Sequence, residues 1–113
     1  MKFGVRGFQA WLLQRLSAVY LAMFLLFVVI SLGINPPVNY EVWHAWVTDP
    51  LVWTLWILFF VSLLLHAWVG IRDVILDYIH PLWLRFTMLS LVGLSLIVMA
   101  IWVFRIFLGL VLV

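Results

Sequence analysis

A histidine, two aspartates and a tyrosine, His66, Asp73, Asp77 and Tyr78, follow one another along one largely apolar segment that also carries Arg72. A neutral imidazole is a common axial ligand for haem iron and a proton-transfer group. A phenol beside a carboxylate can donate to a quinone carbonyl and relay protons. On a continuous helix Ser62, Gly70, Asp73 and Asp77 stand four before and four, seven and eleven after His66, all within about 40° of it at about 100° per residue. One stripe carries them, and Gly70, one turn from the imidazole, leaves room for something flat and bulky. Each residue has a plainer alternative. His66 can hydrogen-bond a neighbouring helix, and the Asp73, Asp77 and Tyr78 cluster can serve loop hydrogen bonding. Spacing alone does not separate these readings.

The elements that must hold these residues lie in lipid. Of 113 residues 69% are hydrophobic and 9% charged, and the mean hydropathy is +1.32. A soluble domain is about half apolar and roughly a quarter charged. Six Lys and Arg residues cannot solvate such a surface. A net charge of +2 builds no basic stripe for nucleic acid. With no cysteine, the chain holds no disulfide, Cys-ligated zinc or iron-sulfur cluster.

A helix crosses a hydrocarbon slab of about 30 Å in about 20 residues. Three apolar runs of that order are present, over residues 11–32, 51–71 and 84–111. The first ends at Gly33-Ile34-Asn35-Pro36-Pro37, the second opens after Thr48-Asp49-Pro50 and the third follows His80-Pro81. The expected fold class is an all-α membrane protein of three transmembrane helices, taken as one domain over residues 1–113. The first run exceeds the apolar length of a signal peptide and lacks a small-residue cleavage motif, so it reads as retained.

Lys2, Arg6 and Arg15 lie at the N-terminal end, and Arg72 and Arg85 flank the second break. The first break carries Glu41 and Asp49 but no Lys or Arg. Basic residues stay on the cytoplasmic side, which predicts the N-terminus inside and the C-terminus outside. Trp11, Trp43, Trp46, Trp53, Trp68 and Trp83 fall near the predicted span ends, as amphipathic rings at a headgroup boundary do.

An ionisable side chain within a span costs about 2.5 kcal/mol or more and needs a partner or a route to the interface. His66 sits roughly 9 Å from the inner end of its span at Arg72. Were it an axial ligand, a second imidazole at the same depth would have to come from another chain, because His44 and His80 fall in opposite breaks. That makes the protein part of a hetero-oligomer or a symmetric dimer. Arg15, one turn inside the first span, can snorkel to headgroups or pair a carboxylate. Arg105 is expected to reach the outer interface, and His44 and His80 to be ordinary interfacial residues. Gly93 with Ser90 and Ser95 gives the third span a small-residue patch for close packing.

The stretch His66-Ala67-Trp68-Val69-Gly70-Ile71-Arg72-Asp73-Val74-Ile75-Leu76-Asp77-Tyr78-Ile79 resembles the small hydrophobic membrane anchor, type D, of bacterial succinate dehydrogenase, respiratory complex II. Its pattern is His, three residues, Gly, six residues, Asp-Tyr. Gly7 to Ala18 and Tyr40-Glu41-Val42-Trp43 extend the similarity, which with three spans covers nearly the whole chain. The resemblance implies an anchor that works with a second, type C anchor subunit. Together they would fix the flavoprotein and iron-sulfur subunits to a bacterial inner membrane and form haem b and ubiquinone sites.

Carried over on matching positions, the resemblance makes His66 an axial ligand of haem iron and sets Arg15 near the haem propionates. Tyr78 would meet a ubiquinone carbonyl with Asp77 beside it. Asp73 stands where the family can carry a neutral polar residue and takes no role, and Gln9 stands where the family can carry His. The chain has no flavin fingerprint and no cluster cysteines, so succinate oxidation falls to partner subunits. An anchor of a fumarate reductase and a non-redox small membrane protein are the alternatives.

Overall fold

The computed structural model describes residues 5–112, and side chains from residue 7 onward within them. Lys2, used above for orientation, lies outside the described residues, as does the Arg6 side chain. The described residues form four helices and no strand: α1 (Val5–Ile34), α2 (Tyr40–Thr48), α3 (Pro50–Tyr78) and α4 (Leu82–Leu112). Three of them, over Gly7–Ile34, Pro50–Tyr78 and Leu82–Leu112, are long and apolar enough to cross a membrane. At about 1.5 Å per residue each is longer than the hydrocarbon it must cross, so it tilts or projects beyond it.

Two features depart from the expectation. The second long helix does not stop at Arg72-Asp73 but runs on to Tyr78. Asp77 and Tyr78 therefore stand on its last turn instead of in a loop, and the connection to α4 shrinks to Ile79–Pro81. No breaker intervenes before His80-Pro81, and Arg72 and Asp73, partly exposed, pair with each other at 3.2 Å. The first break also contains a helix of its own. Asn39 caps it, its Oδ1 accepting from the Val42 amide at 2.9 Å, and Glu41 sits in the first turn, where a carboxylate favours the helix dipole. Asp49 closes α2 and opens α3, its Oδ2 accepting from Leu51 and Val52 amides at 3.2 and 3.3 Å ahead of Pro50.

α3 is the central element. α1 and α4 each pack along it and α2 touches both α3 and α4, while α1 and α4 do not pack on one another among the described residues. The pairing of α1 with α3 is antiparallel: Ser17 meets His66, the Tyr20 hydroxyl donates to the Leu55 carbonyl at 2.7 Å, and Phe24 packs on Phe59 at 5.0 Å between ring centroids. Phe24, Trp56, Phe59, Phe60 and Phe107 form an aromatic cluster joining all three long helices. At that end the Trp53 indole donates to the Phe107 carbonyl at 3.0 Å.

The small-residue patch on α4 is only partly used. Gly93 takes the Trp68 ring, which would lie 3.6 Å from a Cβ placed there. Ser90 and Ser95 are exposed, and the Ser95 hydroxyl bonds back to the Leu91 carbonyl of its own helix. Trp68 thus packs between helices well before the end of α3.

Candidate functional site

The site is built where α1 crosses α3. Gln14 and Ser17 are three residues apart on α1 and so share the face turned to α3. Ser17 is 6% exposed, the buried polar side chain among the described residues. Its hydroxyl donates to the Gln14 carbonyl at 3.0 Å, and the same oxygen lies 3.0 Å from Nδ1 of His66. No hydrogen bond reaches His66 Nε2 among the described residues. His66 therefore does bond a neighbouring helix, the plainer of its two readings, but with one nitrogen only. The sequence alone gave Ser17 no role. Its partner is 49 positions away, and only the helix pairing brings them together.

Gly70 does not leave open room beside the imidazole, as the spacing suggested. A Cβ there would stand 3.3 Å from Gln14 Nε2, so the glycine lets α1 approach and the Gln14 side chain fills the space. Gln14 Oε1 is buried with no hydrogen-bond partner among the described residues.

Arg15 is one residue round α1 from Gln14 and is exposed. Its guanidinium sits over the Trp11 ring, 5.8 Å from the centroid. No hydrogen bond joins it to His66, Asp77 or Tyr78 among the described residues. Asp77 lies on nearly the same face of α3 as His66, about 17 Å along the axis. Tyr78 is rotated from His66 by about 120° and is 75% exposed at the helix end. The imidazole and the Asp77-Tyr78 pair are thus two separate places on one helix.

A residue of that end which the sequence marked only for its charge is Arg85. From the first turn of α4 its Nε donates to the Ile79 carbonyl at 2.9 Å and its Nη2 to the Leu76 carbonyl at 3.0 Å, occupying carbonyls that the end of α3 leaves open. At the opposite end His44 is more than an interfacial residue, since its Nε2 bonds the Leu110 carbonyl at 2.8 Å and ties α2 to the last turn of α4. His80 is exposed. Arg105 is exposed and lies over Trp102, 5.9 Å from its centroid.

Among the described residues no three His, Cys, Asp or Glu side chains converge, so a bare metal ion finds no cage. A single imidazole with one nitrogen anchored and the other unpartnered fits an iron whose equatorial ligands come from a porphyrin.

A family model for "Succinate dehydrogenase/Fumarate reductase transmembrane subunit" matches residues 4–107. The chain is also 29% identical over 97 residues to the succinate dehydrogenase hydrophobic membrane anchor subunit of Coxiella burnetii (strain RSA 493 / Nine Mile phase I), an alignment covering 86% of this chain and 84% of that protein.

Proposed function

Because the chain belongs to the succinate dehydrogenase/fumarate reductase transmembrane subunit family, we propose that it is the hydrophobic membrane anchor of a bacterial succinate dehydrogenase. In this reading it holds haem b jointly with a second anchor subunit, helps bind ubiquinone, and carries the flavoprotein and iron-sulfur subunits on the inner membrane. The observation that carries the reading is His66, an imidazole held to α1 through Nδ1 with no hydrogen bond to Nε2 among the described residues. The similarity to a succinate dehydrogenase anchor favours that enzyme over a fumarate reductase.

His66 would provide one axial nitrogen and the second anchor subunit the other, since His44 is engaged with α4 and His80 lies beyond the far end of α3. Haem, when bound, supplies a one-electron store near the quinone. Arg15, free of ion pairs among the described residues, would meet a propionate, for which a guanidinium fork is suited. At the end of α3 the exposed Tyr78 hydroxyl would donate to a ubiquinone carbonyl, and Asp77 beside it would take protons from water and hand them on. Both groups sit on a helix end fixed by Arg85, where soluble partners can dock. The succinate-oxidising chemistry lies on those partners.

The test is purification of the tagged chain from gently solubilised membranes. A flavoprotein and an iron-sulfur protein are expected to accompany it, with a b-type redox-difference spectrum that is lost on His66→Ala. Recovery of the chain without either protein would overturn the anchor reading. A complete complex without haem would overturn the ligand assignment alone.

A further inference from the structure

We propose that Ser17 is a positioning residue for His66, setting the ring tautomer that leaves Nε2 with its lone pair toward haem iron; the inference rests on the haem reading above.

The argument is one of proton counting. A backbone carbonyl only accepts, and the Ser17 hydroxyl, 3.0 Å from the Gln14 carbonyl, can give its single proton to that oxygen. What the Ser17 oxygen then offers His66 Nδ1, also at 3.0 Å, is a lone pair. In that arrangement Nδ1 carries the proton and donates it. A neutral imidazole has one N–H, so Nε2 is unprotonated and is the ring's coordinating nitrogen. His44 provides a contrast within the same chain. Its Nε2 faces the Leu110 carbonyl at 2.8 Å and must be the protonated nitrogen. The two imidazoles that bridge helices are therefore set in opposite tautomers, each by the acceptor it meets.

The surroundings hold this arrangement. Ser17 is 6% exposed, so water does not compete for its hydroxyl, and a hydrogen bond in apolar surroundings is stronger than the same bond in water. The Tyr20 bond to Leu55 and the packing of Phe24 on Phe59 fix the pairing of α1 with α3 just beyond. One turn on the other side, Gln14 lies against Gly70. A hydrogen bond accepted from Nδ1–H makes the opposite nitrogen more basic, which strengthens its hold on iron and favours the ferric state.

The whole complex is purified with Ser17→Ala, Ser17→Thr, Ser17→Cys or His66→Ala. Haem retention is followed against an excess of apomyoglobin, and the haem midpoint potential by redox titration. Ser17→Ala is expected to weaken haem binding by about tenfold to a hundredfold and to raise the potential. Ser17→Thr, which keeps the hydroxyl, should behave as wild type. Ser17→Cys, close in volume but a poorer acceptor, should follow Ser17→Ala and provides the measurement if the alanine variant does not assemble. Wild-type retention and potential in both Ser17→Ala and Ser17→Cys, with haem lost in His66→Ala, would overturn the role of Ser17 and leave the haem reading standing. Equal loss in Ser17→Thr would also overturn it, marking the site as one of packing. Normal haem in His66→Ala would remove both.

Discussion

Arg85 reaches back from the first turn of α4 to the Ile79 carbonyl, 2.9 Å from its Nε, while its Nη2 holds the Leu76 carbonyl at 3.0 Å. The guanidinium thus ties the end of α3 to the start of α4 immediately beside Asp77 and Tyr78. Lysine has donors enough but lacks the planar fork that reaches both carbonyls at once. Arg85→Lys is expected to cost about 1–2 kcal/mol of local stability and to raise the KM for ubiquinone with little change in assembly. Steady-state kinetics with short-chain ubiquinone and the thermal stability of the complex check it.

Tyr78→Phe removes a hydroxyl and leaves an exposed ring at the helix end, so folding should be unaffected. The loss of one hydrogen bond to the quinone corresponds to about a tenfold fall in the rate of ubiquinone reduction. Succinate oxidation with an artificial acceptor should be unchanged. Equal loss in both assays would make Tyr78 structural.

Phe24 is 3% exposed and packs against Trp56 and Phe59 at 4.9 and 5.0 Å. Phe24→Ala removes the main apolar bond between α1 and α3 and is expected to destabilise the pair by about 3–5 kcal/mol. Haem should be lost at a lower temperature than in wild type, because Ser17 and His66 meet through the same pairing. Thermal melts followed at the haem band measure the effect.

Gly70 and Gly109 should respond oppositely to alanine. At Gly109 nothing lies within 4 Å of a new Cβ, whereas at Gly70 the Gln14 amide stands 3.3 Å away. Gly109→Ala is expected to gain up to about 1 kcal/mol of helix propensity. Gly70→Ala should forfeit that gain by pushing Gln14 away and should release haem more readily. Melting temperature and haem content of the two variants decide it.

Orientation is testable because the chain has no cysteine. Val38, 86% exposed between α1 and α2, and His80, exposed between α3 and α4, lie at opposite ends of the long helices. With the N-terminus inside, an impermeant maleimide should label Val38→Cys in intact spheroplasts and His80→Cys only after permeabilisation. The reverse pattern would invert the topology.

The three spans were legible because uninterrupted apolar runs leave a chain in lipid few other choices. The breaks were less so. Pro36-Pro37 correctly marks the end of α1, but Asn39 and Glu41 are the cap and first-turn acid of α2, a signal that polar composition obscured. The charged pair Arg72-Asp73 looked like the end of the second span, although the helix runs on to Tyr78 with no Gly or Pro to stop it. His66 was picked out as an imidazole in lipid. Its partner was not, because a serine in an apolar helix gains meaning only from what faces it. Arg85 was read for the sign of its charge, and its capping bonds depend on the turn between Tyr78 and Leu82.

Among the described residues α1 and α4 each lean on α3 and not on one another. Disturbances on the two flanks therefore communicate only through the helix they share. Paired substitutions, one at Gln14 or Ser17 and one at Gly93 or Arg85, should sum to within a few tenths of a kcal/mol. The imidazole's setting can then be tuned from one flank while the quinone end is altered from the other, giving two independently adjustable halves on a single shared spine.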